Sequence, residues 1–382
     1  MKKVAFYLRL FLTGGTETSL IRYIKALDKN IFDITLIIGI NMKDYELFIN
    51  QIPSHVKVKY VLQDSRLCHD YFYKKRSNNF TFKDKLAKIF IKPLRNHLYR
   101  KYIIDELSNY DVVIDYAMDL IRFSNRIPKR LIGFFHFSLD YYLAKPRNFK
   151  LYQRNLRYYD KLIVLNQSMY DQFVKYFAAY KDLAQVFYNQ FDFSVIRNLA
   201  QCKVDDITST DYIVSVARLE ENQKDFTSLF YAFAKIKDKV STDLIVIGDG
   251  SDRHNLQELI NKLGLADRVY LYGHKNNPFP YIKNSRFFVF SSKHEGFGLV
   301  LVEAMILSRA VISSDCPVGP YEITAGGECG LLFKVGDVDA LASHMYTLIN
   351  NQAAVDNLVK KADALLDRFD INKNIKQLEE LL

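Results

Sequence analysis

The chain has 382 residues, nearly half of them apolar and a quarter charged, with a formal net charge of +10 and only four cysteines. Length predicts more than one domain, composition excludes a disordered or low-complexity protein, and Cys68, Cys202, Cys316 and Cys329 lie too far apart for a disulfide scaffold or a metal knuckle. The charge is confined: Lys74, Lys75, Arg76, Lys83, Lys85, Lys88, Lys92, Arg95, Arg100 and Lys101 against Asp84 supply +9 of the +10, so no broad nucleic-acid surface is expected.

In chain order, the start MKKVAFYLRLFLTGGTE has a basic beginning and an apolar run, but Arg9 interrupts it and no small-residue cleavage pattern follows, so it is read as a first strand and its loop. No apolar run approaches the roughly 18 residues of a membrane-spanning helix, and a cytosolic location is expected. Short apolar runs then recur between helical stretches: VAFYL, ITLIIG, VKVKYVL, DVVIDY, RLIGFFH, KLIVLN and QVFYN, followed by YIVSVAR, LIVIGDG, RVYLYG, RFFVFSS, AVISSD and GLLF. Runs of this length and continuity suit strands buried on both faces, and their alternation with helices predicts parallel sheets. Two such series predict two doubly wound, Rossmann-like domains, 1–193 and 194–365, with a closing segment 366–382. Ligands are expected beyond the carboxyl ends of the strands, in a cleft between the two.

Within the basic window, Phe82, Leu86, Ile89, Phe90 and Leu94 recur at spacings of three to four among Lys83, Lys85, Lys88, Lys92 and Arg95. This predicts an amphipathic helix, broken or restarted at Pro93, that either lies on an anionic membrane surface or packs on the first domain with its lysines solvated.

The densest chemistry lies in RFFVFSSKHEGFGLVLVEAM. Glu295 and Glu303 are separated by seven residues, the first in a loop and the second inside an apolar helix, where a carboxylate is costly to bury without hydrogen bonds. Paired ribose hydroxyls would satisfy Glu303, although a local cap or ion pair would also serve. Gly296 and Gly298 allow close backbone approach, and the helix N-terminus offers free N–H groups to a diphosphate. Upstream, VSVARLEENQKDF sets Arg218 at the end of a strand and Lys224 six residues later, two cations that could serve a diphosphate or be merely solvated. IVIGDGSDR lacks the last glycine of a dinucleotide fingerprint, since Arg253 stands where it should be. Asp337 and Asp339 in GDVDALASHM read as an acidic helix start rather than a metal motif.

These elements together resemble the retaining GT-B glycosyltransferases of family 4, over almost the whole chain and most densely from Tyr212 to Phe333. The resemblance implies that Glu295 lies against the donor sugar, as nucleophile or orienting group, and that Glu303 holds the ribose. It further implies that Arg218 and Lys224 bind the donor diphosphate, and that the backbone around Phe297, Gly298 and Leu299 meets sugar and phosphates. Gly248 ends a donor-side strand, and the loop with His274 and Lys275 would cup the nucleobase. In the first half, Gly14, Gly15, Thr16 and Glu17 resemble the family's Gly-Gly-x-Glu loop, near the leaving phosphate and the acceptor. His136 stands where relatives often place a histidine beside the transferred sugar, but on an apolar strand it could equally be a core residue.

SSDCPVGPYEI resembles a stretch of relatives that build bacterial surface glycans from hexose or N-acetylhexosamine donors, with Cys316 a packed residue rather than a nucleophile. One departure is Gln190, where relatives place a proline after Asn189, which predicts a less rigid crossover. The resemblance thus implies a metal-independent, retaining transfer of a hexose or N-acetylhexosamine from a nucleotide sugar, a UDP-sugar above all. The expected acceptor is a glycan or lipid-linked glycan such as lipopolysaccharide, lipooligosaccharide or capsule. No cofactor is expected, and the basic segment 74–101 would hold the enzyme at the inner face of the membrane. A nucleotide-sugar epimerase and a basic nucleic-acid-binding protein are the rival readings.

Overall fold

The computed structural model describes residues 1–12, 14–42, 45–63, 96–127, 129–143, 146–204, 206–207 and 209–382. The predicted amphipathic helix over Phe82–Leu94, and the basic residues Lys74–Arg95, lie outside the described residues. The chain divides into two compact units, one formed by 1–165, 169–190 and 374–382, the other by 166–168 and 191–373. The division at 190/191 falls three residues before the boundary read from the sequence. The return to the first unit comes at Asn374, later than the break drawn at 366, because Phe369 and Asp370 pair with Phe191: Phe191 N–H donates to Phe369 O at 2.8 Å and Ile371 N–H to Phe191 O at 3.0 Å.

The first unit holds β1 (Lys2–Leu8), β2 (Phe32–Ile40), β3 (Lys57–Leu62), β4 (Val112–Asp115), β5 (Arg130–Phe135), β6 (Lys161–Val164) and β7 (Ala184–Val186). They form one parallel sheet in the order β3-β2-β1-β4-β5-β6-β7. Central strands are buried nearly end to end, as parallel strands covered on both faces must be. The closing helix Ile371–Leu381 belongs mostly to this unit, burying Leu378 and Leu381. Gln190, which stands where relatives place a proline, is buried: Asn374 Nδ2 donates to its Oε1 at 3.0 Å, and its own Nε2 donates to Tyr188 O at 2.9 Å.

The second unit holds β8 (Tyr212–Val216), β9 (Asp243–Ile247), β10 (Val269–Leu271), β11 (Phe287–Phe290), β12 (Ala310–Ser314) and β13 (Leu331–Phe333), again all parallel, in the order β10-β9-β8-β11-β12-β13. The thirteen strands among the described residues are those the apolar runs predicted. Phe226, Leu229, Phe230 and Phe233 share one core with Leu341, Met345 and Leu348, joining the helices Phe226–Ala234 and Val338–Asn350 to the sheet. The chain runs outward from β8 through β9 to β10 and returns on the other side of β8 at β11. That reversal leaves a crevice beyond the carboxyl ends of β8 and β11, where the segments that follow these two paired strands leave the sheet side by side.

Candidate active site

In the second unit, the segments after β8 and β11 carry the residues singled out from the sequence. The chain turns at Leu219 and forms the short helix Glu221–Lys224, while beyond β11 the loop from Ser291 runs to Gly298. Lys224 Nζ and Glu295 Oε1 form an ion pair, with side chains only 13% and 11% exposed, and Lys224 Nζ also stands 5.6 Å from the centre of the Phe290 ring. A charge pair so withdrawn from water is costly to break, at about 3 to 5 kcal/mol when one partner is removed. The two segments are laced together around it: Ser291 Oγ donates to Lys224 O at 2.9 Å, Lys293 N–H to Gln223 O at 2.7 Å, and Gln223 Nε2 to His294 O at 3.3 Å.

Arg218, by contrast, is 58% exposed, and its guanidinium reaches Glu220 Oε1 at 3.2 Å. Arg218 and Lys224, read as one cationic pair in the sequence, therefore have separate carboxylate partners. Glu303 is the half-buried acid of the helix Leu299–Ile306, whose Leu301, Val302, Ala304, Met305 and Ile306 are buried. That helix starts from Gly298 at φ 96°, a left-handed position that suits glycine, and no side chain caps it. Phe297 is buried and meets Phe369 edge-on at 5.9 Å. A Cβ on Gly319 would come within 2.0 Å of Phe297 O, so the Pro317–Pro320 turn can close on this loop only with glycine there.

Gly248 follows β9 with φ 144°, its N–H donating to Gly273 O at 2.8 Å, and a Cβ there would stand 1.9 Å from Ala217 O. The turns after β8, β9 and β10 are thereby drawn together. Among the predicted nucleobase residues, His274 is exposed with Nε2 3.3 Å from Asn276 Oδ1. The Lys275 ammonium pairs with Asp206 and sits 5.8 Å from the centre of the Tyr281 ring, and Tyr281 OH donates to Asp206 Oδ1 at 2.7 Å. The Lys275 ammonium holds Asp206 below the usual carboxylate range, while burial, with Asp206 alongside, raises the Tyr281 phenol. The side chain of Lys275 thus anchors its own loop.

Cys316 is buried, its thiol pushed up to about 12 by burial with the Glu295 charge nearby, so it is a packed residue unfit for nucleophilic attack. Asp337 Oδ1 accepts from Ala340 N–H at 2.9 Å as a helix cap, and Asp339 pairs with Lys235, so the two aspartates are engaged separately.

In the first unit, the loop after β1 leads into the helix Gly15–Ala26. Gly14 precedes that helix in an extended conformation, its carbonyl accepting from Thr18 Oγ1 at 2.9 Å, and Thr16 O accepts from Ser19 Oγ at 3.0 Å. Glu17 is buried and turned back on the loop, Oε1 accepting from Leu12 N–H at 3.0 Å, which shapes the turn around Gly14 and Gly15. His136 follows β5, buried among aromatic rings, its ring centre 4.5 Å from that of Tyr116 and 6.1 Å from that of Phe134. Burial lowers its pKa to about 3, against a hydrogen bond to the Tyr116 backbone, so the imidazole is neutral, and Nε2 has no hydrogen-bond partner among the described residues.

Sequence reasoning missed Lys293, Asp206, Tyr281 and Asp115. Asp115, at the end of β4, accepts from Asp119 N–H, Leu120 N–H and Tyr159 OH at 2.7 to 2.9 Å, and burial together with Asp119 raises its pKa to about 8. Each of the four acquires its meaning from a partner far away in the chain, Lys293 from Glu221, Asp206 from Lys275 and Tyr281, and Asp115 from Tyr159, so local spacing left no mark to find.

Residues 203–364 match the family described as glycosyl transferases group 1. An N-acetylgalactosamine-N,N'-diacetylbacillosaminyl-diphospho-undecaprenol 4-alpha-N-acetylgalactosaminyltransferase of Campylobacter jejuni is 29% identical over 212 residues, 55% of this chain and 56% of that protein. The lipopolysaccharide 1,6-galactosyltransferase of Salmonella typhimurium is 34% identical over 142 residues, 36% and 39% of the two chains. Matches to these curated relatives span about half or less of their length. The crystal structure of Anabaena Alr3699/HepE in complex with UDP superimposes with a TM-score of 0.78 at 20% identity, covering 100% of this chain and 99% of that one. The fold is GT-B, and the family match falls within the second unit.

Proposed function

We propose that the chain transfers a hexose or N-acetylhexosamine from a UDP-sugar to a lipid-linked or growing bacterial surface glycan, retaining anomeric configuration and using no metal. The observation that carries this reading is the buried Lys224–Glu295 pair, set beyond the carboxyl ends of β8 and β11 where the sheet order reverses. As the acceptor hydroxyl oxygen bonds to the anomeric carbon, the bond to the diphosphate oxygen breaks, negative charge grows on the leaving group, and the hydroxyl proton passes to the departing diphosphate oxygen. Lys224, Arg218 and the N–H groups at the start of the Leu299 helix take up that charge. Glu295 meets the donor sugar and Glu303 the ribose, while the glycine turns at Gly248 and Gly298 admit the phosphates to the backbone.

In the first unit, Gly14–Glu17 serve the acceptor and His136 the transferred sugar, where a neutral imidazole can exchange hydrogen bonds but carries no charge. Relatives named for N-acetylgalactosaminyl and galactosyl transfer, and a neighbour holding UDP, support the sugar class and the nucleotide. The basic segment 74–101 would keep the enzyme beside a lipid-linked acceptor on an anionic surface.

The experiment is product analysis with a panel of UDP-sugars and lipid-linked oligosaccharide acceptors in EDTA. Transfer of the sugar to the acceptor is expected, with Lys224→Ala slower by roughly 100-fold. Rearranged nucleotide sugar without transfer would make the protein an epimerase, and a strict divalent-ion requirement would overturn the charge scheme.

A further inference from the structure

Beside the Lys224–Glu295 pair, Lys293 on the loop that carries Glu295 reaches across to Glu221 and Asp225, the residues that flank the turn of Lys224. We propose that Lys293 is a positioning residue for nucleoside-diphosphate binding, tying the turn that follows Lys224 to the loop that carries Glu295. This role rests on the donor-site reading above.

The turn between the helices Glu221–Lys224 and Phe226–Ala234 is made by Asp225, at φ 50° and ψ 46°. This is the left-handed region, unfavourable for residues with a side chain and entered most readily by Asn and Asp. Asp225 is also only 4% exposed, so its carboxylate needs a partner. Lys293 supplies it: Nζ lies 3.4 Å from Asp225 Oδ1 and 3.5 Å from Glu221 Oε1, and donates to Glu221 O at 3.1 Å. An ammonium has three N–H donors, and here it faces three acceptors.

Glu221 in turn accepts from Thr227 N–H at 3.2 Å, so two carboxylates gather at the start of the Phe226–Ala234 helix and one lysine compensates them. The Lys293 backbone N–H reaches Gln223 O at 2.7 Å, so the side chain holds both ends of the Glu221–Asp225 segment that presents Lys224 and the main chain holds its middle. Two residues further along, Glu295 pairs with Lys224 itself. Lys293 thus sets the separation between the cation offered to the diphosphate and the carboxylate offered to the sugar.

The test uses the full chain and titration with UDP, together with thermal unfolding, for Lys293→Gln, Lys293→Arg, Asp225→Asn and the Lys293→Gln/Asp225→Asn double variant. Lys293→Gln is expected to weaken UDP binding by about tenfold to a hundredfold, as small displacements of positioned groups do. Lys293→Arg, which keeps the charge, should recover most of that loss, and the double variant should bind UDP no more weakly than Lys293→Gln alone. Asn tolerates the left-handed turn, so Asp225→Asn removes the partner charge without a new backbone conflict and still reports if Lys293→Gln fails to fold. UDP affinity within about threefold of the parent in Lys293→Gln or Asp225→Asn, even with a lowered unfolding midpoint, would make the cluster purely structural and overturn the proposal. So would losses that add in the double variant. A parent chain that binds no UDP removes the donor-site reading itself, a result distinct from either.

Discussion

Glu295 and Glu303 are the same residue type eight positions apart, yet their surroundings differ. Glu295 is held by Lys224 in a nearly buried pair, whereas Glu303 projects half-buried from the middle of an otherwise apolar helix. A carboxylate that positions the donor sugar affects the reacting centre, and one that holds the ribose affects binding of the whole nucleotide. Glu295→Gln should therefore lower turnover by roughly 100-fold while UDP affinity stays near that of the parent. Glu303→Ala should weaken UDP binding by about tenfold or more, the loss expected when a charged group's hydrogen bonds are removed. Calorimetric titration of both variants with UDP checks this, and equal losses of affinity would reject the division. The spacing of the glutamates was legible in the sequence, but the partner of Glu295 was not. Lys224 lies 71 positions away, and only the pairing of β8 with β11 brings the two together.

Among the elements, strands were the most legible feature, because parallel strands covered on both faces must be apolar along their length, and each of the thirteen runs became one. Turns were less so. The GDG turn was read as the donor-side end of a strand that lacks a full dinucleotide fingerprint, and the need for its first glycine is steric: Gly248 has φ 144° and lies against Ala217 O, where a Cβ would stand 1.9 Å away. Gly248→Ala should push the turn after β8 off that after β9, costing about 2 kcal/mol or more in strain. For a unit of this size that corresponds to a midpoint lower by roughly 4 to 8 °C in thermal unfolding, and an unchanged midpoint would show that the turn can relax around the new methyl. Asp225 was illegible for a related reason, since a left-handed residue between two helices leaves no periodic signal, and Lys293 becomes meaningful only once that turn is known.

For the molecule as a whole, two doubly wound sheets, seven and six strands wide, were expected from the alternation of apolar runs and helices, and both are present. The strand order was not written in that alternation, and with it came the location of the switch point between β8 and β11 that gathers the candidate site. The proposed chemistry depends above all on this site holding the diphosphate of a nucleotide sugar through fixed cations. Thermal unfolding of the parent and of Lys224→Ala, with and without UDP and in EDTA, measures that dependence. At 100 times its dissociation constant, UDP should stabilise the parent by about 2.7 kcal/mol, which corresponds to a rise of several degrees, and at the same concentration it should leave Lys224→Ala nearly unmoved. No UDP-dependent shift in the parent, or the same shift in both proteins, would contradict diphosphate binding by Lys224.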